Sequence, residues 1–168
     1  ISNISKSRFD ESLKWSKTNN KTPFSVINNQ FSLAKMEKPL WPDCLSINNN
    51  DYIKYLENNT ITHFAWSSQA RGFFIEENFL QKFLRRKFHR YLKDCFYSSE
   101  NIERKKRAEK IANKYNCSAN DVALSWVVNQ KFPSYAIIGS KNINQLNLSI
   151  NYINIKLTEY EKTWLNLT

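Results

Sequence analysis

Three short runs of β-branched and aromatic residues, FSVIN at 24–28, ITHFAW at 61–66 and YAII at 135–138, each follow a stretch with helical character. That alternation constrains the fold more than any other feature of the chain. Runs this short, bounded by turn formers, read as strands rather than helices. Strands that alternate with helices build βα units, and βα units build a parallel sheet with helices packed against it. The predicted class is therefore α/β.

The helical stretches carry their own signals. Phe9, Leu13 and Ser16 share one face of a first helix running from Ser7 to about Thr18, with Ser7-x-x-Asp10 as its capping box and Thr22-Pro23 closing it. Phe79, Leu80, Phe83, Leu84, Phe88, Tyr91 and Leu92 recur at three and four, as do Ile111, Ala112 and Tyr115. Ser118-x-x-Asp121 caps the segment ANDVALSWVV, residues 144–151 suit a further helix, and Thr158-x-x-Glu161 opens a last one holding Trp164, Leu165 and Leu167. Asn is abundant throughout, and the NNN at 48–50 is mildly low in complexity. Three parallel strands leave two unpaired edges, so more of the sheet is expected upstream. The opening ISNISKSRFD, which lacks an initiator Met, fits a chain that begins partway through a protein.

Composition narrows the class further. At 168 residues, 41% apolar, with two Gly and four Pro, residues 1–168 suit one compact domain burying roughly 70% of its unfolded surface. Disordered, collagenous and disulfide-stapled classes do not fit. No apolar run approaches the ~20 residues of a membrane span, and no secretory signal opens the chain. Cys44, Cys95 and Cys117 lie far apart without CxxC spacing, which predicts free thiols and a cytoplasmic location. Neither His63 nor His89 has metal spacing with another histidine or a cysteine, so no metal site is expected.

The net charge of +10 concentrates between Lys82 and Lys110, where eleven Lys and Arg stand against four Asp and Glu, a local +7. Interleaved cations and aromatics of this kind occur on nucleic-acid surfaces. They also occur on amphipathic helices, and here Phe79, Phe83, Phe88 and Tyr91 fall on one face as core while the cations form the solvated side. The second reading is preferred, with no specific nucleic-acid partner.

In α/β sheets and barrels, chemistry collects beyond the carboxyl ends of the strands. Those positions are polar here: Asn29, Gln30 and Ser32 after the first run, Trp66, Ser67, Ser68, Gln69, Arg71 and Gly72 after the second, and Gly139, Ser140 and Lys141 after the third. Ser2 and Asn3 precede the first helix, as the end of another strand would. Side chains of Asn, Gln and Ser offer donors and acceptors that orient a carboxamide. Trp66 offers a flat face for a heteroaromatic ring. Gly139-Ser140-Lys141, between a strand and a helix, offers N–H groups, a hydroxyl and an ammonium to a phosphate. No GxGxxG is present, so a dinucleotide would not be held in the Rossmann manner.

Ser2-Asn3, PFSVINNQFSL, HFAWSSQARGFF, NKYNCSANDVALSWVVNQ, YAIIGSKNINQL and IKLTEYEKTWLNL, in that order and over essentially the whole chain, closely resemble the C-terminal half of the aldo-keto reductases. The resemblance implies part of a TIM (β/α)8 barrel, from the end of the fifth strand to the closing helix. It implies NADPH, less often NADH, as cofactor, and a small-molecule carbonyl or alcohol as substrate. Carried over by position, Ser2, Asn3 and Gln30 would bond the nicotinamide carboxamide, and Trp66 would stack on the ring. Ser67, Ser68, Gln69, Ala70 and Gly72 would line the pyrophosphate strap. Ser140 and Lys141 would meet the adenosine 2′-phosphate, joined by Gln145 where the family often has Arg. Leu148 and Ser149 replace the Glu-Asn pair that typically contacts the adenine.

No residue of this chain aligns with the family's catalytic Asp, Tyr, Lys and His. The resemblance thus implies a cofactor-holding half without its proton-transfer groups, inactive alone. Two other readings stand beside it: a noncatalytic half barrel that pairs its open edges with another polypeptide, and a basic nucleic-acid-binding module.

Overall fold

The computed structural model of the chain describes residues 1–76, 83 and 86–168. Its centre is a parallel sheet in the order β1-β2-β3, formed by β1 (Val26–Ile27), β2 (Thr62–Ala65) and β3 (Ser134–Ala136). Val26 pairs with Thr62 and Ile27 with His63, while His63, Phe64 and Ala65 pair with Ser134, Tyr135 and Ala136. Each predicted strand is present, shorter than its apolar run, and the third begins one residue before YAII. Residues 1–3 run parallel beside β1, with Asn28 N donating to Ile1 O (2.8 Å) and Asn3 N to Asn28 O (3.1 Å). Ser2 and Asn3 thus occupy the strand-end position expected of them.

Around the sheet lie α1 (Lys6–Thr18), α2 (Asn50–Asn59), α3 (Arg86–Phe96), α4 (Ser99–Tyr115), α5 (Ala119–Val128), α6 (Ile143–Ile150) and α7 (Glu159–Leu165). The capping boxes at Ser118/Asp121 and Thr158/Glu161 are both formed, so two N–H groups at each of these helix starts are satisfied by the local sequence. α5 is buried from Ala119 to Val127 and forms the inner layer against β3, with α4 packed outside it. A helix buried along nearly its whole length is covered on every side, and its few polar side chains lie inside with the apolar ones.

Two expectations need correction. The cap of α1 is Ser5, whose Oγ accepts from Arg8 N (3.3 Å); Ser7 lies inside the helix and bonds Ser5 Oγ instead. The helical stretch before ITHFAW is α2, whose start lies in the Asn-rich stretch, where Asn49 caps it, accepting from Tyr52 N at 2.7 Å. Phe83 is 62% exposed at a cleft wall rather than in the core. Phe79, Leu80 and Leu84, and the side chains of Phe88 and Tyr91, lie outside the described residues, whereas Leu92 is buried as predicted.

The three cysteines are free, and Cys44 and Cys95 are buried. Among the described residues, no helix is long and apolar enough to cross a membrane.

Candidate functional site

Two neighbouring regions gather the polar residues at the strand ends. The first sits above β1 and β2. Register carries past the strands, so that Gln30 pairs with Trp66 as well as with Ser46. Asn29 is fully buried and clasps the backbone of Ile4, accepting from its N–H (3.0 Å) and donating to its carbonyl (2.8 Å). That clasp fixes residues 2–4 against the end of β1. Leu45 then links the two sides, because its N–H donates to Asn3 Oδ1 (3.2 Å) and its carbonyl accepts from Gln30 N (2.9 Å). Asn3, Gln30 and Trp66 are thereby assembled from three distant segments, while the Ser2 hydroxyl is turned to Asn28 O (2.9 Å).

Gln30 is 0% exposed, and only one end of its carboxamide is used within the protein. Nε2 donates to Ser32 Oγ (2.8 Å), whose hydroxyl in turn donates to Ala34 O (2.6 Å). Oε1 has no partner, and neither has Trp66 Nε1. An orphaned buried polar atom is costly, and two of them on residues paired in register suit a ligand that carries a matching donor and acceptor. A carboxamide-bearing heteroaromatic ring is such a ligand. One face of Trp66 is taken by Trp41, with ring centroids 4.8 Å apart and planes 25° from parallel. Arg71 lies over Trp41, 5.8 Å from the ring centre.

The second region is an open cleft of about 1860 Å³. One wall is the turn after β2, where Ser67, Ser68, Gln69, Arg71 and Gly72 line the space. The opposite wall holds Gly139, Ser140, Lys141 and Gln145. Ser68 Oγ donates to Ile137 O (2.7 Å) and Gln69 Nε2 to Ser149 Oγ (3.0 Å), so both walls are tied together. Ala70 is buried and supports the turn from behind. Ser67, Ala70, Arg71 and Gly72 all have positive φ, a conformation that bends the backbone tightly around the cleft. A Cβ on Gly139 would meet nothing within 4 Å, so the protein itself leaves that backbone open to an incoming group.

The start of α6 is less free than its sequence suggested. Asn142 caps it by accepting from Gln145 N (2.9 Å), and Gln145 Oε1 accepts from Lys141 N (2.9 Å). The Lys141 N–H is thus committed, leaving its exposed ammonium to face an anion. The cleft floor was not foreseen: Glu109 and Asn113 of α4 and Cys117, Ser118, Ala119 and Asn120 before and within α5. The capping box located the start of α5 but carried no signal that it lies under the β2 turn.

His63 points into the core between Phe31 and Phe132, and its Nε2 accepts from Asn29 N (3.4 Å). Burial pushes its pKa down to about 4, only partly offset by that hydrogen bond. It stays neutral near pH 7 and cannot act as a proton donor there. Among the described residues, no three His, Cys, Asp or Glu gather in a way that could hold a metal ion.

The model of the aldo/keto reductase family matches residues 1–165. An NADP(+) aldo-keto reductase of Schizosaccharomyces pombe, yakc, is 29% identical over 112 residues, which is 64% of this chain and 32% of the relative. The thermostable aldo-keto reductase Tm1743, solved with the inhibitor epalrestat, superposes with a TM-score of 0.65 at 18% identity. That match covers 99% of this chain and 46% of the reductase, the geometry of a partial barrel. The chain therefore spans about a third of the one relative and just under half of the other.

Proposed function

The chain belongs to the aldo/keto reductase family, and from that premise we propose that it is the cofactor-holding half of an NADP(H)-dependent oxidoreductase interconverting carbonyls and alcohols. The reading is supported by the orphaned Gln30 Oε1 and Trp66 Nε1 and, following Trp66 directly in the chain, by the turn whose Ser67, Ser68, Gln69 and Gly72 line a cleft together with Ser140 and Lys141. The cofactor, when bound, supplies a hydride. The chain's own residues do the holding. Gln30 would accept from the nicotinamide carboxamide, with Asn3 and Ser2 beside it, and the Trp66 face not covered by Trp41 would take the ring. Ser67, Ser68, Gln69 and Gly72, backed by Ala70, would follow the diphosphate.

Lys141 is exposed at the far end and suits the adenosine 2′-phosphate, which favours NADPH over NADH; the S. pombe relative carries NADP(+) in its name. Ser140 and Gln145 would support that contact, Gln145 mainly by fixing the Lys141 backbone. Among the described residues, His63 is buried and neutral near pH 7 and is not placed to protonate a carbonyl oxygen. The 168 residues alone would thus bind cofactor without turnover.

Fluorescence titration of NADPH and NADH onto the chain, paired with an aldehyde-reduction assay, tests both statements. Saturable NADPH binding without reduction is the expected result. Absence of binding would remove the cofactor reading, and reduction by the 168 residues would remove the inactive-half reading.

A further inference from the structure

The floor of the cleft holds a side chain whose hydrogen-bonding capacity the protein leaves unused. Asn120, in the first turn of α5, lines the cleft and is only 8% exposed, and its Oδ1 is buried without a hydrogen-bond partner. Resting on the dinucleotide reading above, we propose that Asn120 reads the adenine base of the cofactor, Oδ1 accepting from the 6-amino group and Nδ2 donating to the ring nitrogen N7. A side-chain amide and that edge of adenine match donor to acceptor at both places. Hypoxanthine, with a carbonyl at position 6, would leave Oδ1 facing another acceptor.

The neighbouring element cannot supply these contacts. At the two α6 positions where the resemblance places adenine contacts, Leu148 carries no polar side-chain atom, and the Ser149 hydroxyl oxygen already accepts from Gln69 Nε2 (3.0 Å). α5 packs directly against α6, and Asn120 borders the same cleft as Leu148 and Ser149. The other polar groups on the floor are engaged or exposed. Ser118 Oγ accepts from Asp121 N (3.1 Å) and donates to Asp121 Oδ2 (2.7 Å), closing the cap of α5, and Asn113 is exposed, where solvent can satisfy it. Burial is what makes the unmet oxygen of Asn120 costly, and a donor brought by a ligand recovers that cost. With no hydrogen bond holding Oδ1, the amide can turn about its last torsion, which is a soft one, to meet the base. Apolar surface for the faces of a purine is also present: Leu148, 68% exposed, on one wall, with Ala112 and Ala119 on the floor. Apolar walls with a few polar atoms to fix orientation are the usual make-up of a site for a flat ring.

Calorimetric dissociation constants test this on the protein expressed from its complete coding sequence, as wild type, Asn120→Ala and Asn120→Asp. The probes are NADPH and its hypoxanthine analogue, which keeps the nicotinamide, sugars and phosphates. The wild type is expected to bind NADPH about tenfold more tightly than the analogue. Asn120→Ala should weaken NADPH about tenfold, move the analogue by less than twofold, and bring the ratio of the two near one. Asn120→Asp keeps an acceptor for the amino group and loses the donor to N7; its added charge weakens both probes, and the ratio should fall between. Equal affinity of the wild type for the two probes overturns the Asn120 assignment and leaves the cofactor reading standing. An unchanged ratio in either variant does the same, because it marks a side chain that only shapes the cleft. No NADPH binding by the wild type overturns both readings.

Discussion

Trp41 stacks on Trp66, 4.8 Å between ring centroids and 25° from parallel, so one of the two faces of the Trp66 indole is already covered by the protein. A ligand ring is left a single face, and the Trp41 layer stiffens it. Trp66→Ala should weaken NADPH binding about tenfold, and Trp41→Ala by less, because it removes the backing rather than the platform. Fluorescence quenching of each variant reads both constants; equal losses would mean that Trp41 also touches the ligand.

Lys141 supplies an exposed ammonium at the cleft end, with its backbone N–H held by Gln145. Lys141→Ala should lower NADPH affinity several-fold, leave NADH nearly unchanged, and so narrow the ratio between them. The ratio of the two dissociation constants at low salt is the measurement, since screening would mask an exposed charge.

His63 ties stability to pH. Its folded pKa of about 4 lies below the ordinary 6.5, so the unfolded chain takes up its proton first. Stability from this group is complete above about pH 6.5, falls as pH drops from there, and levels off near pH 4, a loss on the order of 3 kcal/mol. Urea unfolding at pH 7 and pH 4.5 should show a large drop for the wild type and a smaller one for His63→Gln.

Leu165 is fully buried where α7 closes over α4 and α5, and the same helix is anchored by Glu161, which accepts from Lys114 (2.6 Å) and Tyr115 (3.0 Å). Burial by itself would raise the Glu161 pKa, but Lys114, the Thr158 cap and Tyr115 outweigh it and hold it at about 2. Leu165→Ala should cost about 3 kcal/mol through the cavity it leaves. Denaturant midpoints at pH 7 check it, with the slope unchanged.

Much of the scaffold was legible because its signals are local. FSVIN, ITHFAW and YAII announce strands within a few residues, and Ser118/Asp121 and Thr158/Glu161 announce helix starts within one turn. The start of α2 is harder to read because Tyr52, Ile53 and Leu56 follow a run of Asn whose composition says loop, while Asn49 is in fact a good cap. The start of α1 was misplaced for a related reason: Ser5 and Ser7 are equally good caps by type, and only the extended backbone of Ser5 selects it. At the site, the residues on each strand end could be named from their order. Their meeting could not. The Trp41–Trp66 stack, the Leu45 link between Asn3 and Gln30, and α5 beneath the β2 turn join residues dozens of positions apart, and no periodicity encodes them.

The loop that leaves Gln30 also has an anchor at its far end. Lys35 donates its N–H to Asn101 Oδ1 (2.9 Å), and its carbonyl accepts from Asn101 Nδ2 (2.7 Å), with Asn101 wholly buried in the first turn of α4. A connection held in this way, with residues 29–34 buried, has no independent opening. In deuterated solvent the Lys35 amide should exchange at the slow rate of α4, hours behind the amides of an untethered loop, and Asn101→Ala should release it, together with the start of α4, where Asn101 also bonds Arg104 and Phe96 O.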